Sequence, residues 1–167
     1  MAERVTMSIR GASHADLPRI LEIYNREVLV STATYDTVPR TEGDHRRWFA
    51  IHGPEHPVLV AESAGDVVGW ASLSPWSDRA AYARTVEVSV YVAEEHRRQG
   101  VGRLLMEALI QAGRARGHHS LLARISADNE ASVLLHAQCG FRVVGTMHEA
   151  GTKFGRLLDV TIMEMLI

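Results

Sequence analysis

Residues Thr85-Val-Glu-Val-Ser-Val-Tyr-Val92 alternate β-branched and polar side chains with the two-residue period of a half-buried strand. Beyond a turn, Val101, Leu104, Leu105, Ala108, Leu109 and Ala112 recur at helical spacing, ending at Gly117. This central strand, turn and helix sit within a longer alternation. Upstream, Thr6–Arg10 reads as a short strand, and Ser13-His-Ala-Asp16 reads as a capping box. Leu17, Ile20, Leu21, Tyr24 and Val28 follow on one helical face that ends before Ser31, with Pro18 close enough to the start to be tolerated. A second helix is predicted over Thr41–Ile51, ended by His52-Gly-Pro-Glu-His-Pro57. Strands then follow at Val58–Glu62 and Val67–Leu73 around a hairpin turn at Ser63-Ala-Gly-Asp66, with Gly69 as a candidate bulge.

Downstream of the central helix, Ser120–Ile125 is a strand, and Asp128 or Asn129 caps a helix running through Cys139 and stopped by Gly140. Arg142–Thr146 and Leu157–Met165 read as two final strands joined by a loop containing Gly151-Thr-Lys-Phe-Gly-Arg156. The order βααβββαβαββ predicts an α/β protein with a mixed sheet and helices on both sides.

The 167 residues predict one domain large enough to bury a substantial core. With 46% apolar and 23% charged residues and a net charge of −2, the chain has no global basic excess of the kind that marks a nucleic-acid binder. Cys139 is the only cysteine, which excludes an intrachain disulfide and fits a reducing compartment. No apolar run approaches membrane-spanning length, and Met1-Ala-Glu-Arg-Val-Thr-Met-Ser has no apolar signal core, so a cytoplasmic protein is expected. One cysteine and scattered histidines, including His118-His119, lack ligand-cluster spacing, and no metal site is expected.

The charge that matters is local. In Arg97-Arg-Gln-Gly-Val-Gly102, Gly100 and Gly102 let the backbone approach a ligand, while Arg97, Arg98 and Arg103 surround it with positive charge. A helix start there offers free N–H groups and the positive end of a dipole, a phosphate-binding arrangement. A dinucleotide fingerprint would need glycine at Leu105, and a P-loop would need Lys-Ser/Thr at Arg103-Leu104. An Arg-x-x-Gly-x-Gly turn remains, against the alternative of an Arg/Gly-rich surface turn.

In its setting between strand and helix, this turn resembles the acyl-CoA pyrophosphate loop of the GCN5-related N-acetyltransferases (GNAT). Asn129-Glu-Ala-Ser-Val-Leu-Leu-His-Ala-Gln-Cys-Gly-Phe141 resembles the family's later segment. Gly69-Trp-Ala-Ser-Leu-Ser-Pro-Trp76, Arg79, Tyr82, Leu135-His136, Gly151-Thr-Lys-Phe-Gly-Arg156 and Asp159 together resemble the phosphinothricin/methionine sulfoximine acetyltransferase branch. The resemblance implies acetyl transfer from acetyl-CoA to the α-amine of a small amino-acid analogue, in a homodimer whose 151–157 loop, with Lys153, Phe154 and Arg156, lies near the partner's site.

Such a transfer needs a neutral amine, whereas an amine of pKa ~8 to ~10 is mostly protonated at neutral pH. Glu87, a carboxylate in an otherwise apolar strand beside the glycine turn, is the candidate base, its pKa expected to rise on burial. The alternative is a glutamate on a solvated face. By resemblance, His136 protonates the departing thiolate or assists amine deprotonation, though a structural helix-face histidine fits the residues as well. Resemblance also implies a splay of the strand near Val90-Tyr91-Val92, whose backbone meets the pantetheine arm. It assigns Arg97, Arg98, Gln99, Gly100, Val101, Gly102, Arg103, Asn129 and Ser132 to cofactor binding, although Asn129 is equally a helix cap.

Substrate contacts are expected from Tyr35, Ser77, Arg79, Tyr82, Glu87 and Ser89, with Arg79 and Tyr82 suited to an anionic group. Ser77 stands where phosphinothricin-specific members often carry lysine, and Tyr35 reads equally as packing. Two alternatives stay open: a GNAT enzyme for a polyamine, peptide or protein N-terminus, and a non-catalytic acyl-CoA sensor.

Overall fold

The computed structural model describes residues 7–167, so Thr6 and the N-terminal stretch lie outside the described residues. The elements follow in order as β1 (Met7–Gly11), α1 (Leu17–Val30), α2 (Glu42–Ala50), β2 (Val58–Ser63), β3 (Asp66–Pro75) and β4 (Thr85–Val92). Then come α3 (Val101–Ala115), β5 (Ser120–Ser126), α4 (Glu130–Gln138), β6 (Arg142–Lys153) and β7 (Arg156–Leu166). This is the predicted order. The seven strands form one sheet, β1-β2-β3-β4-β5-β7-β6, antiparallel at every junction except β4–β5.

Two apolar layers hold the sheet. On one side Val101, Leu105, Met106, Leu109 and Ile110 of α3 pack against Ala71, Leu73, Val86, Val88, Leu121, Ala123 and Ile125. On the other, Ile20, Ile23, Tyr24 and Val28 of α1 cover Val58, Val60, Val67 and Trp70, with Trp48 and Phe49 of α2 at the margin. Burying a side chain of this size contributes ~1.5–3 kcal/mol, so these layers set the helix positions. The predicted capping box is present: the Ser13 N–H donates to Asp16 Oδ2 at 2.7 Å. It opens a 3₁₀ turn that leads into α1. Thr41 and Asp44 cap each other likewise at α2.

Two strand details differ from expectation. The register irregularity facing Gly69 falls between Ala61 and Glu62, so that Val68 is the extra residue. A Cβ on Gly69 would stand 3.0 Å from the Tyr91 carbonyl oxygen and 3.1 Å from Leu105 Cδ1, so close approach of α3 to β3 explains that glycine. The second difference is at 151–156, where strand pairing continues to Lys153↔Arg156 instead of opening into a loop. Phe154 (φ 51°) and Gly155 (φ 70°) make the two-residue turn that a tight hairpin requires.

Candidate active site

The single parallel junction is where the sheet opens. β4 and β5 pair only through Thr85↔Ser120, Val86↔Leu121 and Glu87↔Leu122. Beyond Glu87, β4 runs on to Val92 with β3 as its strand partner, while β5 runs on against β7. The strands diverge, and a cleft opens between them, as expected for the Val90–Val92 stretch. Glu87, Ser89, Val90, Tyr91 and Arg124 line it from the strands, Tyr35 from the α1–α2 connection, and Asn129, Ser132 and His136 from α4. Sequence separations of about a hundred residues collapse here into one site.

Alternation decides which side chains point where. Val86 and Val88 are buried in the α3-side layer, which turns Glu87, Ser89 and Tyr91 to the opposite face. On β5, Leu121, Ala123 and Ile125 take the α3 side, turning Arg124 to the Glu87 face. There the Arg124 guanidinium forks Glu87, Nε donating to Oε1 at 2.7 Å and Nη2 to Oε2 at 2.6 Å. The Glu87 side chain is 20% exposed. The apolar setting expected around Glu87 is therefore absent, because an outward β5 position supplies a cation that the strand's own sequence did not reveal. Arg124 also lies 5.4 Å from the centre of the Trp76 ring.

His136 occupies the last turn of α4, buried against Phe141. Its Nδ1 is 2.7 Å from the Ser132 carbonyl oxygen, which can only accept, so Nδ1 carries the hydrogen and Nε2 holds the lone pair. Burial lowers the imidazole pKa, with the Ser132 carbonyl opposing it, and favours the neutral ring. Asn129 caps α4, its side chain accepting from Ser132 N–H at 3.2 Å. Tyr35 lies against Gly151 of the β6–β7 hairpin, and burial pushes its phenol up to about 12. The same wall is pinned by Lys153, which is buried and donates from Nζ to the Thr34 carbonyl at 2.8 Å. Asp128 accepts from Thr32 at 2.7 Å and Ser126 at 2.6 Å and pairs with Arg156 at 3.2 Å, joining α1's end, β5 and β7.

The glycine turn lies at the far end of β4. Gly100, at φ 85°, precedes the first turn of α3, whose leading N–H groups have no partner within the helix. A Cβ on Gly102 would stand 3.2 Å from Leu135 Cδ2, so this glycine also lets α3 and α4 approach. Arg98, exposed at φ 59°, and Gln99 lie on the turn's outer surface. Arg97 instead turns back to the buried Glu27 and to the Val92 carbonyl at 3.1 Å, and Arg103 pairs with Glu107 at 2.7 Å. The parted strands, free helix-start amides and glycine backbone fit an acyl-CoA. Ser77, Arg79 and Tyr82 are not among the cleft's lining residues; on the segment between β3 and β4, Ser77 is half-buried and Arg79 and Tyr82 lie exposed. Arg124 was missed by sequence reasoning, although its place as a lone charge within apolar Ser120–Ile125 was the available signal.

A sequence model described as the Acetyltransferase (GNAT) family matches residues 17–141, spanning the parted strands, the glycine turn and α4. The chain belongs to the GNAT acetyltransferase family. Among GNAT relatives, the L-methionine sulfoximine/L-methionine sulfone acetyltransferase of Pseudomonas aeruginosa is 42% identical over 163 residues, covering 96% of this chain and 95% of that protein. A GNAT superfamily phosphinothricin acetyltransferase from Sinorhizobium meliloti, solved in complex with AcCoA, superposes with a TM-score of 0.93 at 35% identity, covering 97% of this chain and 89% of that one. A structure described as a ribosomal-protein-alanine N-acetyltransferase from Brucella melitensis gives a TM-score of 0.93 at 40% identity, covering 96% and 99%. Among the described residues of this GNAT chain, no helix is long and apolar enough to cross a membrane.

Proposed function

We propose that this GNAT protein transfers acetyl from acetyl-CoA to the α-amine of a small amino-acid analogue of the methionine sulfoximine, methionine sulfone or phosphinothricin type. The observation that carries the proposal is the cleft at the β4–β5 divergence, which gathers Glu87 and Ser89 from one strand with His136 from α4. Bound acetyl-CoA would supply an activated acyl group whose thiolate leaves without much help, a thiol's pKa being only ~8.5. Glu87 takes the amine's proton, directly or through water. The neutral His136 ring, with its free Nε2 lone pair, suits proton acceptance better than proton donation. Backbone N–H groups of Val90–Val92 and of the Arg98–Arg103 turn, with Asn129 and Ser132, hold the acyl-CoA. Tyr35 and Ser89 line the acceptor's position, and Ser77, Arg79 and Tyr82 stand at its outer approach.

A homodimer belongs to the same reading. Val143, Val144 and Met147 on the edge strand, with Phe154 and Leu157 at the hairpin, are exposed apolar residues. Their cover by a second copy would bring the 151–157 hairpin to the partner's cleft. A cytoplasmic setting, with its acetyl-CoA, is consistent with the single free Cys139.

A second reading is acetylation of a protein N-terminus, supported by the likeness to the Brucella melitensis structure. Thiol release from acetyl-CoA tests both, using L-methionine sulfoximine, L-methionine sulfone, L-phosphinothricin, spermidine and an alanine-starting peptide. Turnover confined to the amino-acid analogues, and lost in Glu87→Gln, is expected; turnover of the peptide alone would replace the first reading with the second.

A further inference from the structure

The Glu87–Arg124 fork has a consequence for what the cleft accepts. As it stands, both oxygens of the candidate base accept from one guanidinium, at 2.7 and 2.6 Å. A carboxylate so engaged is poorly placed to take a proton from an arriving ammonium. A bare amine cannot release it, since that would bring a cation beside Arg124 and offer the guanidinium no acceptor. An α-amino acid carries both replacements on one molecule, its ammonium and carboxylate lying on adjacent bonds of the same carbon.

We infer that Arg124 is the residue that binds the substrate's α-carboxylate, and that this exchange frees Glu87 to act as base. The incoming carboxylate takes the guanidinium's two donors as Glu87 releases them, a bidentate match of the same geometry. The ammonium takes the place of the guanidinium at Glu87. One proton then passes from nitrogen to a Glu87 oxygen, leaving a neutral amine with its lone pair and a protonated carboxyl. Charge is conserved throughout, with two cations and two anions alternating before the transfer.

The setting suits this role. Arg124 is held on the Glu87 face by strand alternation, lines the cleft and lies over the Trp76 ring, while its side chain is 46% exposed and free to change partner. Tyr35 is its other titratable neighbour; Asp128, which faces Tyr35, is engaged by Thr32, Ser126 and Arg156, and His136 lines the same cleft from α4. Arg79 stands outside this lining. The inference rests on the amino-acid reading proposed above, and it makes the free carboxylate a requirement of that same site.

The test compares L-methionine sulfone with its α-carboxamide, which keeps the amine and side chain and removes only the anion. In the wild type the free acid should be favoured. Arg124→Ala should raise KM for the acid roughly 10- to 100-fold, in the range of losing hydrogen bonds between charged groups, while kcat/KM for the carboxamide should not fall and should rise as Glu87 loses the guanidinium that holds it, so that the acid-to-amide preference collapses. Arg124→Lys should recover part of the loss, and acetyl-CoA affinity, measured by calorimetry, should hold in both variants.

Equal losses on acid and amide would make Arg124 a support for Glu87 only and overturn the inference. So would no loss on either, or a carboxylate-selective loss in Arg79→Ala with none in Arg124→Ala. If Arg124→Ala no longer binds acetyl-CoA, Arg124→Lys decides by the same acid-to-amide ratio, which a merely structural role would leave unchanged. Failure of the wild type on every amino acid would instead reject the amino-acid reading on which the inference stands.

Discussion

A base and its proton acceptor atom have to be reachable, and Glu87 and His136 meet that condition differently. Glu87 reaches the cleft with a guanidinium on it, whereas His136 reaches it buried, with Nδ1 committed to Ser132 and only Nε2 left. Glu87→Gln keeps the shape and removes the proposed base, so kcat should fall about 10²- to 10⁴-fold with acetyl-CoA affinity retained; stopped-flow or steady-state thiol release measures it. His136→Phe should cost less, roughly 10-fold, because Glu87, the proposed main proton acceptor, remains. Equal losses in the two variants would count against this ranking. That both would face one cleft was legible from their motifs. Arg124 was not, because the fork depends on the register Glu87↔Leu122, which places Arg124 two residues on and on the same face, and register between strand positions 35 residues apart leaves no local mark in the chain.

Elements converge on the cleft because glycines allow them to. α3 is pressed to β3 at Gly69 and to α4 at Gly102. Gly69→Ala would put a methyl 3.0 Å from a backbone oxygen, and overpacking of this kind costs about 1–3 kcal/mol. Urea denaturation should show that loss, together with weaker acetyl-CoA binding as α3 shifts; an unchanged midpoint would mean that the packed layer yields without cost. The strand and helix order was readable from periodicity, and so was the divergence of β4, by resemblance. The extent of β6 and β7 was not, since Gly151 and Gly155 read as loop residues. In the structure Gly151 continues the strand past an irregularity, and only Phe154-Gly155 turns.

For the whole molecule, pH acts through buried histidines. His45 is 1% exposed, stacked on Trp48, and neither ring nitrogen has a hydrogen-bond partner among the described residues. Burial lowers its pKa from 6.5 to about 4. The unfolded chain therefore binds a proton below pH 6.5 that the folded chain refuses until about pH 4, so stability falls as pH drops through that window. The loss from this residue is on the order of 3 kcal/mol. Unfolding measured at pH 7 and pH 4.5 should show His45→Phe flattening the dependence; an unaltered slope would assign acid sensitivity elsewhere.

The exposed apolar edge of β6 predicts a dimer by light scattering, and Val144→Asp should shift it toward monomer. Lys153, within the hairpin proposed to reach a partner, itself donates inward to the Thr34 carbonyl, 119 residues earlier in the chain. That tie has a temporal meaning. A contact closing so long a loop forms only after the intervening strands have docked, so the wall carrying Tyr35 should be among the last parts of the molecule to acquire protection from hydrogen exchange. During synthesis, the glycine turn will have left the ribosome well before the acceptor side of the cleft can take shape.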